Sequence, residues 1–406
     1  MDRPPYSFGS RLAGAWLAIV LLTTPALAAD PATQSSLERA IHNAVAGSII
    51  DFDVPGAVAA VIMPDGEEII VPVGCIDRAC ETLMPPDAIM RGGSTGKSYT
   101  AAIALDLALK GRLNLDTPVV RYLPDADWIR RLANGEKMTM RHLLTHSSGI
   151  GDWPKIPEAV AAIKTATLQD PDSYFSPLEL IAFSFDRPGH FPPGEGFYYS
   201  DSGYLVAGLV IEAITGRDIF EQIEETFAEP LQLDDTTPQT TRSVPGLVSG
   251  HLAADNPRGL PSALIVDDGK LAYHPGYEWT GGGFYTSARD LARWGRAYCN
   301  GDALEGDYWK VIRESRVEWN ASNDYSFGLI FSDDDDYGLR CSHRGWTPGY
   351  LSEFRHYPEY NVTIGIQLNG TGKTDFSNTA VRGPWPQLTT RAVQDVLSAA
   401  GIGKPE

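Results

Sequence analysis

Apolar positions recur along this chain with periods that predict its elements. Leu37, Ile41, Val45 and Ile49 are spaced every four residues, the signature of one stripe on a helix. Gly56 to Met63 is an unbroken small-apolar run and predicts a buried strand. Pro64-Asp65-Gly66 has turn chemistry, and Glu67 to Val73 supplies the partner of a hairpin. From Thr100 to Leu109 the chain is rich in Ala and Leu, a helix that Gly111 is placed to end. Residues 115–260 mix helical signals with prolines and loops. Tyr350–Tyr357 and Val362–Leu368 predict adjacent strands, the second alternating Val362, Ile364, Ile366 and Leu368. A last amphipathic helix is predicted over 388–399. The expected organisation is two outer, sheet-forming segments around a mostly helical middle, without internal repeats.

The N-terminus changes which residues count. Arg3 and Arg11 precede an apolar run from Leu12 to Leu22, and Ala26-Leu27-Ala28 offers small residues at cleavage spacing. This predicts a signal peptide over 1–28 and a mature catalytic chain over 29–406, exported to the periplasm or secreted. The apolar run is too short for a membrane span, and no later one is longer, so no stable membrane insertion is expected. No cysteine stands at the cleavage point to carry a lipid anchor.

Composition is that of a globular protein, 43% hydrophobic and 21% charged. A net charge of −19 argues against nucleic acid or anionic membranes as partners. Four cysteines in an exported chain predict disulfides. Cys75 and Cys80 enclose a short loop and are expected to pair, leaving Cys299 with Cys341. The acidic run Asp333–Asp336 reads as a solvated hairpin turn, because a calcium loop needs interleaved ligands and a turn glycine.

The chemistry gathers at Arg91-Gly92-Gly93-Ser94-Thr95-Gly96-Lys97-Ser98. Gly96-Lys97-Ser98 looks like the end of a phosphate-binding loop, but that motif needs glycine where Arg91 stands. Gly92-x-Ser94-x-Gly96 matches a nucleophile elbow, yet Pro85 to Arg91 is a poor buried strand to precede one. The remaining reading is Ser94-x-x-Lys97 opening a helix. That spacing stacks both side chains on one face, where the helix N-terminus favours an alkoxide and a desolvated lysine can act as base.

Later segments decide among these. Tyr199-Ser200-Asp201-Ser202-Gly203-Tyr204 follows about a hundred residues on, and His343-Arg344-Gly345-Trp346 lies in the C-terminal strand region. The order Ser-x-x-Lys, Tyr-x-(Asn), (His/Lys)-x-Gly resembles the family of class C β-lactamases and D-alanyl-D-alanine carboxypeptidases. Gly111–Asp116, Arg141–Gly149, Gly281-Gly282-Gly283 and Trp346–Tyr350 are similar to that family too, and the resemblance runs from about 36 to 398. It implies the α+β penicillin-recognising fold: an antiparallel sheet flanked by helices, with a helical subdomain over roughly 115–260. It implies Ser94 as nucleophile, with Lys97 and Tyr199 sharing general-base and general-acid work. The backbone N–H groups of Ser94 and Trp346 would form the oxyanion hole, with His343 and Gly345 lining the strand along which substrate lies. His142 and His146 stand four apart, but Leu143 occupies the place of a zinc protease's glutamate, so the pair reads as structural.

One position departs from the family pattern. Asp201 stands where the family has Asn, and a carboxylate cannot donate to a substrate's acyl-amide carbonyl. It would hold Lys97 protonated or take up a proton itself. Asp201 and His343 both weigh against efficient β-lactam hydrolysis. The expected activity is an acyl-enzyme serine hydrolase acting on a small D-peptide, amide or ester substrate, without cofactor or metal. The alternatives are a β-lactamase, or a penicillin-binding sensor with little turnover.

Overall fold

The computed structural model describes residues 35–256, 258–266, 268–334, 337–371 and 397–398. The signal-peptide expectation lies outside these residues, as does nearly all of the expected C-terminal helix and the Asp335-Asp336 part of the acidic run.

The first apolar stripe forms α1 (Ser36–Asp51). Its start is closed by a capping box in which Ser35 Oγ accepts from the Glu38 N–H, and the Glu38 carboxylate accepts from the Ser35 N–H. Ile41, Val45 and Ile49 are its buried apolar residues, as the spacing requires. The strands in chain order are β1 (Gly56–Ile62), β2 (Glu68–Gly74), β3 (Met90–Arg91), β4 (Thr237–Pro238), β5 (Phe284–Thr286), β6 (Val317–Asn320), β7 (Asn323–Ser326), β8 (Leu329–Asp334), β9 (Gly338–Thr347), β10 (Tyr350–Tyr357) and β11 (Val362–Leu368).

Eight of them make one antiparallel sheet in the order β2-β1-β11-β10-β9-β8-β7-β6. β1 therefore pairs with both its hairpin partner and the last strand, so the two ends of the chain close one sheet. Every residue of β1 is buried, because the sheet is covered on both faces. Ala57, Ala59 and Val61 pack with α1; Val58, Ala60 and Ile62 pack with Ala288 and Ala292 of the helix Ala288–Asn300. Gly365 of β11 permits that second helix to press close, since a Cβ there would stand 2.8 Å from the Ala292 nitrogen. This is the α+β architecture expected from the sequence.

β3, β5 and β4 form a second, three-stranded sheet. It ties the segment before Ser94 to residues 237–286, far along the chain. Between lie the helices expected of the middle segment, including Pro157–Gln169 and Asp201–Thr215. Beyond Leu231 the chain turns to loops and isolated bridges, which run back to Ile89 and the sheet. Cys75 is bonded to Cys80, the pair expected from its short loop, and Cys299 to Cys341, the pair left by elimination. The second bridge fastens the helix Ala288–Asn300 to β9.

Candidate active site

Ser94 lies in a 3-10 turn (Gly93–Gly96) that runs straight into α2 (Lys97–Leu109). α2 is buried almost all round, which explains its Ala content: Ala101, Ala102 and Ala104 let neighbouring segments approach while keeping high helix propensity. Ser98 and Tyr99 anchor its start, Ser98 Oγ accepting from the Trp294 indole at 2.7 Å and Tyr99 stacking on that ring.

Glycines let three separate segments meet at Ser94. Gly93 has φ +53°, and a Cβ there would stand 2.9 Å from the Trp346 nitrogen. Gly282 has φ +149°, and a Cβ there would stand 3.0 Å from the Ser94 nitrogen. Gly345 faces the Gly92 carbonyl, which also accepts from Ser352 Oγ at 2.5 Å. The main chains of the nucleophile turn, β9 and the Gly281-Gly282-Gly283 run are thus pressed together. The two backbone N–H groups expected to form the oxyanion hole belong to the turn and strand so apposed.

Lys97 is fully buried, and its Nζ reaches three acceptors: Ser94 Oγ at 3.1 Å, Asp201 Oδ1 at 2.5 Å and the Gly281 carbonyl at 2.5 Å. Burial by itself lowers its pKa, but the Asp201 carboxylate and Tyr199 more than offset that, and the net shift is upward. The Tyr199 hydroxyl lies beside both Ser94 and Lys97, whose hydrogen bonds draw its pKa down while burial pushes it up, to about 12. At neutral pH the resting site therefore holds an ammonium and a neutral phenol.

The backbone carrying Tyr199 and Asp201 is braced by residues 146–155. His146 Nδ1 accepts from the Ser200 N–H at 3.1 Å, and its ring lies 4.0 Å from that of Tyr199. Lys155 Nζ donates to the Tyr199 carbonyl at 2.6 Å and pairs with Asp152 at 3.1 Å. Asp152 in turn accepts from the Asp201 N–H at 2.7 Å. Burial and the nearby Asp201 carboxylate raise the Asp152 pKa to about 6. Asp201 opens the helix Asp201–Thr215, where the dipole favours a negative side chain, and Ser200 caps it by accepting from the Gly203 N–H. Asp152 and Lys155 carried no recognisable signal; Asp152 sits between Gly151 and Trp153 like any loop acid.

A cleft open to solvent is lined by Ser94, Asp201, Gly281, Glu278 and Trp346. Its outer wall is the helix Pro157–Gln169, which turns Val160, Ile163 and Leu168 toward the cleft and has only Ala159 buried. Beneath the floor, buried Arg91 is paired with Glu278 at 3.0 Å. His343 lies elsewhere. It is buried behind Tyr325, Nε2 within 3.1 Å of the Tyr325 hydroxyl and Nδ1 within 2.8 Å of the Arg344 carbonyl. Burial, with a smaller contribution from Lys97, lowers its pKa to about 3, so it is a neutral imidazole with both nitrogens engaged. His142 Nδ1 accepts from the Thr139 N–H, and among the described residues no group of three His, Cys, Asp or Glu side chains converges to hold a metal.

A family model described as Beta-lactamase matches residues 37–382. The chain is 31% identical over 251 residues to esterase EstB of Burkholderia gladioli, covering 54% of this chain and 59% of the esterase. The chain thus spans about three fifths of that relative's length. It is 29% identical to penicillin-binding protein 4 of Amycolatopsis lactamdurans, over 87% of this chain and 91% of that one. A D-stereospecific amidohydrolase from a Streptomyces species superposes with a TM-score of 0.70 at 26% identity, covering 82% of this chain and 94% of that one.

Proposed function

This chain belongs to the beta-lactamase family, whose fold is that of serine hydrolases, and from that premise we propose that it forms an acyl-enzyme on Ser94 and cleaves the amide or ester bond of a small D-residue substrate. The observation that carries this reading is the contact of Lys97 Nζ with Ser94 Oγ at 3.1 Å on a turn from which little can move. Ser94 attacks the substrate carbonyl, the N–H groups of Ser94 and Trp346 hold the developing oxyanion, and the Tyr199 hydroxyl protonates the leaving group.

The printed names of the relatives, an esterase, a penicillin-binding protein and a D-stereospecific amidohydrolase, agree with a hydrolase of amides or esters. Asp201 offers no donor to an acyl-amide carbonyl, and neutral His343 offers no charge to a substrate carboxylate, so β-lactam hydrolysis is disfavoured. Export of residues 29–406 after cleavage of a 1–28 signal peptide is part of the same reading, and the two disulfides are compatible with it. A second reading, a penicillin-binding sensor with little turnover, draws on one observation: Lys97 Nζ is held against the Asp201 carboxylate at 2.5 Å, a contact that favours its charged form over a free base.

Profiling a D-amino-acid amide, a p-nitrophenyl ester and a cephalosporin tests both. Turnover of the amide or the ester is expected, together with labelling by a fluorophosphonate probe that Ser94→Ala abolishes. Activity persisting in Ser94→Ala would end the serine reading, and labelling without turnover of any substrate would favour the sensor.

A further inference from the structure

The contacts of Lys97 leave a difficulty in the proposed chemistry. An ammonium has N–H donors only, and around Nζ stand Ser94 Oγ, Asp201 Oδ1 and the Gly281 carbonyl, with the Tyr199 hydroxyl beside them. In that state Lys97 has no lone pair with which to take the Ser94 proton. One proton must leave first. The Gly281 carbonyl is no base, and Asp201 is the carboxylate in hydrogen-bond contact with Nζ.

We infer that Asp201 is the terminal proton acceptor of a Ser94–Lys97–Asp201 relay, in place of a resting neutral lysine. The inference rests on Ser94 being the nucleophile. In acylation, an Nζ–H proton passes to Asp201 Oδ1 as the Ser94 Oγ–H proton passes to Nζ. The Oγ lone pair forms the bond to the carbonyl carbon, and the C=O π pair moves onto oxygen. As the intermediate collapses, the bond to the leaving group breaks, and that group takes the Tyr199 phenolic proton. Lys97 returns a proton to the phenolate and Asp201 returns one to Lys97, which restores the starting charges. Deacylation runs these transfers in reverse with water in place of the leaving group. Nζ gives a proton to Asp201 and takes the Tyr199 proton, and the phenolate takes a proton from water as its oxygen bonds the acyl carbon. On collapse Ser94 Oγ takes a proton from Nζ, which Asp201 replaces.

The surroundings suit a carboxylate that accepts and releases a proton. The Asp201 side chain is 28% exposed, so its charged form keeps contact with solvent. Lys97 faces it directly, and Asp152, Lys155, Tyr199 and Glu278 are the other titratable groups around it.

The pH dependence of kcat/KM for p-nitrophenyl acetate, in the native chain and in Asp201→Asn, separates the two mechanisms by sign. With a relay, loss of the carboxylate forces Lys97 to shed its proton to solvent. The acid limb then moves up by one unit or more, the rate at pH 7 falls at least tenfold, and activity recovers at alkaline pH. If Lys97 is instead the direct base, removal of its counter-charge leaves burial to lower its pKa, and the limb moves down. A downward shift, or none, overturns the relay. Should Asp201→Asn not fold, Asp201→Ala with added formate serves: a rate that rises with formate supports the relay, and a formate-independent rate overturns it. Esterase activity surviving in Ser94→Ala would defeat the serine reading itself, whereas an unmoved limb with Ser94-dependent activity defeats only the relay.

Discussion

A single methyl group at position 345 should disable this site without altering any side chain that meets substrate. An ideal Cβ on Gly345 would stand 2.9 Å from the Gly92 carbonyl carbon and nearer still to its oxygen. Carbon atoms in contact sit about 3.5–4.0 Å apart, so one backbone must retreat from the other by about 1 Å. The β9 side is held by its pairing with β10 across Gly345, by β8 along residues 338–342, and by the Cys299–Cys341 bridge. The turn two residues before Ser94 is therefore the part that moves. Overpacking of this kind costs about 1–3 kcal/mol of stability. A misplacement of about 1 Å at a reacting atom costs on the order of a hundredfold in rate, or about 2.7 kcal/mol of transition-state stabilisation. Gly345→Ala should then fold, with a Tm lowered by several degrees, and lose about two decades of kcat/KM on p-nitrophenyl acetate. Gly47→Ala is the control, since a Cβ there meets nothing within 4 Å. Gly345→Ala retaining native kcat/KM would refute the claim that main-chain apposition positions Ser94.

Two further predictions concern stability. Burial holds the pKa of His343 down at about 3 and of His356 at about 4, so their neutral forms stabilise the fold fully above pH 6.5, and that contribution is withdrawn as pH falls toward those values. Asp152 and Asp290, both raised to about 6, act in the opposite sense, contributing below pH 3.8 and losing it as pH rises through 6. His343→Gln should therefore flatten the decline in urea midpoint between pH 6.5 and 4; a slope equal to that of the native chain contradicts the buried-neutral assignment. The Cys299–Cys341 bridge closes a loop of 42 residues and Cys75–Cys80 one of only 5. Loop-closure entropy is about 4 kcal/mol for the first and about 2 for the second. Replacing the first pair by alanine should lower Tm about twice as far as replacing the second, and equal or reversed losses in calorimetry would count against the loop-entropy account.

The local elements were legible in the sequence because their signals are local. The four-residue spacing of Leu37 to Ile49 set the face of α1 that is buried, and the apolar run of Gly56 to Met63 marked a strand covered on both sides. Tyr350–Tyr357 and Val362–Leu368 emerged as neighbouring strands at the predicted limits, since alternation and turn residues bound both. Ser94 and Lys97 stood out because three residues of separation on a helical start puts two side chains on one face, whatever the rest of the chain does. Tyr199, Asp201 and Gly345 could be picked only by resemblance, as nothing near them in sequence distinguishes them.

Tertiary structure decided what those residues touch. That Lys97 meets a carboxylate and a carbonyl as well as Ser94 depends on bringing positions 97, 201 and 281 together. The bracing of Tyr199 by His146, Asp152 and Lys155 likewise joins segments about fifty residues apart, and the helix Pro157–Gln169 becomes a cleft wall by packing Ala159 and Ile163 on the core while Val160 and Leu168 face the cleft. His343 shows the same limit from the other side. Its place in the motif marked it for the substrate strand, but β9 turns the imidazole toward Tyr325, where both nitrogens are taken. Hydrophobic period and turn chemistry act over a few residues and can be read in order along the chain; burial and charge pairing depend on the segments that close over a residue, and those are set only when the sheet is complete.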